Sequence, residues 1–331
     1  MLEDALSRLA NVVILKLHTV CTDNMLKIIS HSCSHLISID ISFSKHVTDA
    51  GVELMCEDSS LLPPQLQQIL VDGTSVTNKS VLCLLEHFPN LINIDSSLME
   101  KFLLNMQNLF QNSDHNQDNR GSYKLKTLKL CIRKYSEDSP SIAQLIPILF
   151  PHLEDLVIHH VHPREFESLS YLKSLKHLKS FMIGAFKIGF ERSLTLFSGG
   201  VQLQYICPMI ETIGCNLTKL RFLCYGGNSG KINISILTKH CPHLVTLTLS
   251  GNSITADQGW ARSTSSDKPL QHLKELYINT HSYIPFTVWS ILITQCLNLT
   301  CLEMTSCEGL WDGALASLLE SVPFSLKNIT R

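Results

Sequence analysis

Apolar residues along this chain fall into one short pattern that keeps returning. The pattern is Leu-x-x-Leu-x-Leu, with Ile, Val, Phe or Met substituting. It begins at Val12, Leu36, Leu66, Leu91, Leu125, Leu153, Leu178, Leu220, Leu244, Leu273 and Leu299, and a last copy opens at Leu326. Starts lie 24 to 34 residues apart, except for the 42 between Leu178 and Leu220. Alternation at the end of each copy is that of a strand with one face buried. Polar residues follow, and then apolar residues at helical spacing, as in Val52, Leu54 and Met55 or Val81, Leu84 and Leu85. Thr22-Asp23, Thr48-Asp49 and Thr77-Asn78 stand just ahead of these runs, where short polar side chains cap free backbone N–H groups. The helices are expected to stop at Cys33, Phe88, Phe150, Cys241 and Cys296, each three residues before the next Leu. Pro89, Pro151 and Pro242 reinforce the stop, because proline has no N–H and biases its predecessor away from the α region.

Each copy therefore predicts a strand, a turn and a helix. Such a unit cannot bury its apolar face alone, so copies must stack into one elongated domain, here expected over 1–331. The second anchors, Leu15, Ile39, Ile69, Ile94, Leu128, Leu156, Phe181, Leu223, Leu247, Leu276 and Leu302, should form one buried column. Three stretches break the period: a polar loop at 111–122, an insertion at 187–216 that holds a helix from Leu203 to Ile213, and a loop at 261–267.

Composition narrows the partners. Of 331 residues, 44% are apolar and 17% charged, enough for a continuous core. A net charge of −2 gives no strong pull toward nucleic acid, so none is expected as a ligand. The longest nearly apolar run, Ile142 to Phe150, is too short to span a bilayer, and no membrane partner is expected. Twelve cysteines without a CxxC pair, behind an acidic start (Met1-Leu2-Glu3-Asp4), point to reduced thiols and a cytoplasmic or nuclear site.

Candidate chemistry is sparse. His31-x-Cys33-x-His35 and His159-His160-x-His162 have the composition of metal ligands. Cys33, however, sits where the repeat wants a buried apolar group, and adjacent His159 and His160 point to opposite sides of a strand. Gly226-Gly227-x-x-Gly230 follows a strand but lacks the Lys-Ser or Lys-Thr of a phosphate loop. No hydrolase or zinc-protease motif occurs. The expectation is no catalysis, no cofactor and no metal.

The segments Cys241 to Thr255, Cys296 to Cys307 and Cys33 to Asp49 follow C-P-x-L-x-x-L-x-L-x-x-[NC] and then [IV]-T-[DN], in whole or in part. They resemble the cysteine-containing leucine-rich repeats of the ribonuclease-inhibitor-like superfamily, best known from F-box substrate receptors of SCF ubiquitin ligases. The resemblance implies an α/β fold: a right-handed leucine-rich-repeat solenoid (horseshoe) of about eleven repeats, with an inner parallel sheet and outer helices. It also implies a non-catalytic module for substrate recognition in SCF-type ubiquitin-dependent degradation. The alternative is a scaffold or inhibitor with no ligase role. Only eleven residues precede the first strand, fewer than an F-box occupies. Contact with Skp1–cullin components would then run through a segment of a longer product.

In such a fold, the third, fifth and seventh residues of each copy face solvent along the inner sheet. Val157, Met182 and Cys224 at fifth positions, with Phe222 at a third, read as a contiguous apolar patch on the concave face. Tyr277 extends it, and Asp155 and His159 supply a polar rim. Exposed apolar patches mark interaction sites, so this surface is the expected contact for a protein or peptide. The competing expectation is that the 187–216 insertion folds over the patch.

Overall fold

The computed structural model describes residues 2–57, 65–88, 90–94, 96–112, 122–132, 140–161, 165–186, 203–225, 231–251, 253–257, 270–280, 284–307 and 328–330. The chain divides into two compact units, one built from 1–131 with 136–153 and the other from 132–135 with 154–331.

The first unit carries strands β1 (Ile14–Lys16), β2 (Ser38–Asp40), β3 (Gln68–Leu70) and β4 (Asn93–Ile94). All pair parallel, in chain order, with Leu15, Ile39, Ile69 and Ile94 in register. Strand β5 (Thr127–Ile132) follows, and the Lys126 and Thr127 N–H groups donate to Ile92 O. Between the strands lie α2 (Asp23–Ser32), α3 (Asp49–Cys56), α4 (Asn78–His87) and α5 (Ser96–Asn112), preceded by α1 (Leu2–Leu6) and followed by α6 (Ile142–Leu149). Each helix packs on the next. Ile39, Ile69, Ile94 and Leu128 are buried as expected, whereas Leu15 is only half-buried. Among the described residues β1 is paired on one side alone, by β2.

Two local features repeat along the chain, the first of them in this unit. Thr22, Thr48 and Thr77 cap their own helices, accepting from the N–H groups of Met25, Ala50 and Lys79. The same threonines also tie one repeat to the one before it. The Thr48 N–H and hydroxyl both donate to the Asp23 carboxylate, each at 2.7 Å. Thr77 repeats this on Asp49 at 2.7 and 2.6 Å, joined by the Ser80 hydroxyl. Gly51 permits the close approach, since a Cβ there would fall 2.9 Å from the Asp23 Cα. The second feature is a left-handed residue five places after the first residue of a strand. Thr19 (φ 65°), Phe43 (62°), Gly73 (67°), Gly251 (69°) and Ser306 (55°) all occupy it. This tight turn redirects the chain from sheet to helix side, and glycine meets it with the least strain.

The tie at Asp49 makes the first unit sensitive to acid. Burial pushes the Asp49 carboxyl up, but hydrogen bonds from Ser80 and Thr77, with Lys79 nearby, outweigh it and hold the group below the ordinary aspartate value. A carboxyl depressed on folding contributes stability that is present above its unfolded value and lost as pH falls through its folded value. Urea midpoints should therefore drop through the aspartate range, and Asp49→Asn should flatten that drop. At neutral pH Asp49→Ala should cost about 1–3 kcal/mol, because it strands the buried Ser80 hydroxyl. A variant as stable as the parent in urea melts would sink the assignment.

The second unit carries β6 (Asp155–Val161), β7 (Ser180–Phe186), α7 (Leu203–Ile213), β8 (Lys219–Tyr225), β9 (Lys231–Asn233), α8 (Ile234–His240), β10 (Thr246–Ser250), β11 (Ser253–Thr255), β12 (Glu275–Asn279), α9 (Phe286–Gln295), β13 (Cys301–Thr305) and β14 (Asn328–Thr330). The sheet runs β6-β7-β8-β10-β12-β13-β14 and is parallel throughout. Strands β9 and β11 make a separate parallel pair. The 3₁₀ helix Glu167–Ser174 fills the place of an α-helix after β6.

Here the register corrects one expectation. Leu156, Phe181, Leu220, Leu247, Leu276, Leu302 and Ile329 lie side by side. Leu220 is thus the second anchor of its repeat, Leu217 is the first and Phe222 the third. Leu217, Leu220 and Phe222 are buried, while Leu223, expected in the core column, is only half-buried.

The helix Leu203–Ile213 forms over the residues expected. Gln111 and Asn112 close α5, so the polar stretch expected at 111–122 begins later, and most of it lies outside the described residues. So do 187–202 and the stretch 261–267, where a loop is expected. Cys33, Cys241 and Cys296 are buried free thiols, and burial pushes the last two up to about 12. Both units are leucine-rich-repeat stacks: parallel strands on one side, helices on the other, one anchor column per sheet.

Candidate binding face

Side chains alternate along each strand, so the sheet of the second unit presents every second residue away from the helices. Pairing fixes which ones meet. The third-position row reads Asp155, Ser180, Lys219, Thr246, Glu275, Cys301. The fifth-position row reads Val157, Met182, Arg221, Thr248, Tyr277, Glu303. The seventh-position row reads Gly184, Leu223, Ser250, Asn279, Thr305 from β7 onward.

This arrangement redraws the expected patch. Val157 and Met182 pair in the fifth-position row. Phe222 is not on the face turned away from the helices. It is 2% exposed and lies between Ile183 and Leu249 in the core. The three-residue slip in the eighth repeat put a core side chain on the wrong side. Cys224 pairs with Ala185 further along the strand, beyond the fifth-position row. The fifth position of β8 belongs instead to Arg221, which is exposed beside Met182. The sequence reading missed Arg221. The Asn-Leu pair could have found it. Asn216 Nδ2 donates to Lys176 O at 2.9 Å and Asn298 Nδ2 to Gln271 O at 2.6 Å, so Asn216-Leu217 matches Asn298-Leu299 and sets the frame.

The corrected face is mixed rather than apolar. Lys219 and Arg221 make β8 basic, and both are exposed. Glu275 and Glu303 make β12 and β13 acidic, with Glu275 Oε2 accepting from the Thr246 hydroxyl at 3.0 Å. Tyr277, half-buried between them, has its hydroxyl 3.8 Å from the Cys301 sulfur. That contact, burial and the two glutamates push the tyrosine hydroxyl up, so it stays protonated near neutral pH. Asp155 and His159, the expected rim, lie on β6 with Val157. Asp155 Oδ1 is shielded from water and has no hydrogen-bond partner among the described residues. Val157 is 8% exposed although it points away from the helices. Of the insertion expected to cover it, residues 187–202 lie outside the described residues.

Of the metal candidates weighed from sequence, His31, Cys33 and His35 do not converge, while His162 and the His160 side chain lie outside the described residues. Cys33 is buried, His31 Nδ1 bonds Lys27 O and His35 Nδ1 bonds Ala10 O. The Gly226–Gly230 stretch lies outside the described residues.

No family model and no curated protein matches the chain. Solved structures with a similar fold include the Rad7 and Elc1 complex in yeast (15% identity, TM-score 0.48, covering 100% of this chain and 83% of that one). An internalin, inlF, from Listeria monocytogenes is similar at 14% identity and TM-score 0.47, covering 97% and 87%. TLR13 in complex with ssRNA13 is similar at 15% identity and TM-score 0.42 over 92% of this chain, which spans 44% of that structure. No helix among the described residues is long and apolar enough to cross a membrane.

Proposed function

We propose that this leucine-rich-repeat chain is a non-catalytic protein-recognition module, and that the open sheet face of its second unit is the contact surface. The observation that carries the reading is the fifth-position row. It places Met182, Arg221 and Tyr277 on a rigid parallel sheet, within a few strand spacings of one another. Strands lie about 4.8 Å apart, so these side chains span the width of an extended peptide or a helix. Tyrosine and arginine dominate binding hot spots, because each offers a large stiff contact area with a polar end. The basic strand β8 and the acidic strands β12 and β13 favour a partner with charges of both signs in a fixed order, which sets orientation and rejects wrong partners. Adjacent carboxylates at Glu275 and Glu303 repel a phosphate backbone, so a polypeptide suits this face better than nucleic acid.

The finer reading is a substrate receptor for SCF-type ubiquitin-dependent degradation. Its support is the resemblance of the repeats at Cys33–Asp49, Cys241–Thr255 and Cys296–Cys307 to those of F-box receptors. Skp1–cullin components would then copurify with the full product in cells, and their absence would favour a scaffold or inhibitor.

The face itself is tested by capture. Proteins retained from cell extract by the native chain should be lost with Arg221→Ala/Tyr277→Ala. Affinity for an identified partner should fall by at least about 2 kcal/mol, roughly thirtyfold. The melting temperature should hardly change, as both side chains lie outside the core. An unchanged set of captured proteins would refute this surface.

A further inference from the structure

The outer helices of the first unit hold a cluster that the binding face does not use. Cys83 and His87 are four residues apart on α4, and so share one helical face. Cys56 is the last residue of α3, the helix packed beside it. The ligating atoms of these three residues all lie within 4.8 Å of one another. His87 Nδ1 is 3.7 Å from the Cys83 sulfur and 2.9 Å from the Cys83 carbonyl oxygen. Cys56 is buried, Cys83 half-buried and His87 near the surface, so the cluster runs from the core outward to solvent.

We propose that Cys56, Cys83 and His87 form a binding site for a zinc-class divalent cation, joining helices α3 and α4. Two thiolates and an imidazole are the borderline-soft donor set that such a cation prefers over oxygen ligands. Tetrahedral Zn–S bonds of about 2.3 Å and Zn–N bonds of about 2.0 Å put ligand atoms roughly 3.5–3.8 Å apart; Cys83 and His87 already have that spacing, and Cys56 lies within 4.8 Å of both. Solvent fills the fourth position.

The electrostatics suit a cation. Cys56 and Cys83 bind as thiolates, so the cation displaces their thiol protons, which leave to solvent. His87 gives up its bond to the Cys83 carbonyl and binds through Nδ1 as the neutral ring with its proton on Nε2. Glu53 and Glu86 add negative potential around the site.

Titrating reduced, chelator-washed full chain with Co²⁺ tests this. One equivalent should bind, giving the intense visible bands of tetrahedral cobalt and a near-ultraviolet thiolate charge-transfer band. Zn²⁺ should bleach both and raise the melting temperature, since a ligand bound only to the folded state stabilises it. His87→Ala removes a surface side chain and leaves the fold intact, and with Cys83→Ser it should abolish the bands and the thermal shift. The proposal fails if Co²⁺ gives no thiolate band. It also fails if the bands survive in His87→Ala and Cys83→Ser, which would place the metal on other cysteines of the chain.

Discussion

Replacing Phe222 with alanine should cost about 3–5 kcal/mol of folding stability, the usual range for emptying a buried aromatic site. The ring is the third anchor of its repeat and lies in register with Ile183 on one side and Leu249 on the other. Close-packed neighbours relax only partly into such a space, so the loss combines transfer energy with a cavity term. The adjoining residue gives the control. Arg221→Ala alters a side chain on the opposite face of the same strand and should shift stability by less than about 0.5 kcal/mol. Urea melts of the two variants read the strand register directly. Equal stability losses, or a larger loss for Arg221→Ala, would return Phe222 to the open face.

A comparable loss is expected at Trp289, with a different dependence on the replacement. Its side chain is fully buried in α9, and its Nε1–H has no hydrogen-bond partner among the described residues. Trp289→Ala should cost about 3–5 kcal/mol. Trp289→Phe keeps much of the apolar body and removes the unsatisfied donor, whose burial itself costs about 1–3 kcal/mol. It should lose less than half as much as the alanine variant. If phenylalanine were as damaging as alanine in thermal melts, the indole N–H would have to be a bonded group essential to the fold.

These two residues mark where the sequence was readable and where it was not. Strands begin two residues after the anchors at Val12, Leu36, Leu66, Leu91, Leu125, Leu153, Leu178, Leu244, Leu273, Leu299 and Leu326, because Leu-x-x-Leu-x-Leu encodes both the period and the buried side. The frame slipped once, at Leu217-Thr218-Lys219-Leu220-Arg221-Phe222-Leu223. Leucines at 217, 220 and 223 allow two overlapping readings, and the preceding long insertion removed the spacing that would have chosen between them. A slip of three residues reverses which strand positions face the core, as any odd shift does. That one ambiguity turned a mixed, charged face into an apolar one. Gly214 was the other available signal. It fills the place three residues before the anchor, where Cys241 and Cys296 sit in later repeats, and a Cβ there would meet the Cys241 sulfur at 3.0 Å. Cys56, Cys83 and His87 were harder to see. Cys83 and His87 sit at i and i+4, but Cys56 joins them only through the stacking of one repeat on the next.

The Asp–Thr ties between α2, α3 and α4 bear on how such a chain can change in length over evolution. A residue gained or lost between strand and helix in these repeats would shift a threonine away from the aspartate one repeat earlier, so two repeats would be damaged by one event. Among the described residues, segments after these helices carry no such tie, and they can vary in length at little cost, because loop-closure entropy grows slowly with length. In this chain the stretch from α2 to β2 holds five residues, whereas that from α3 to β3 holds eleven and that from α5 to β5 fourteen. Insertions for new surface features, or tags added by design, belong at those places.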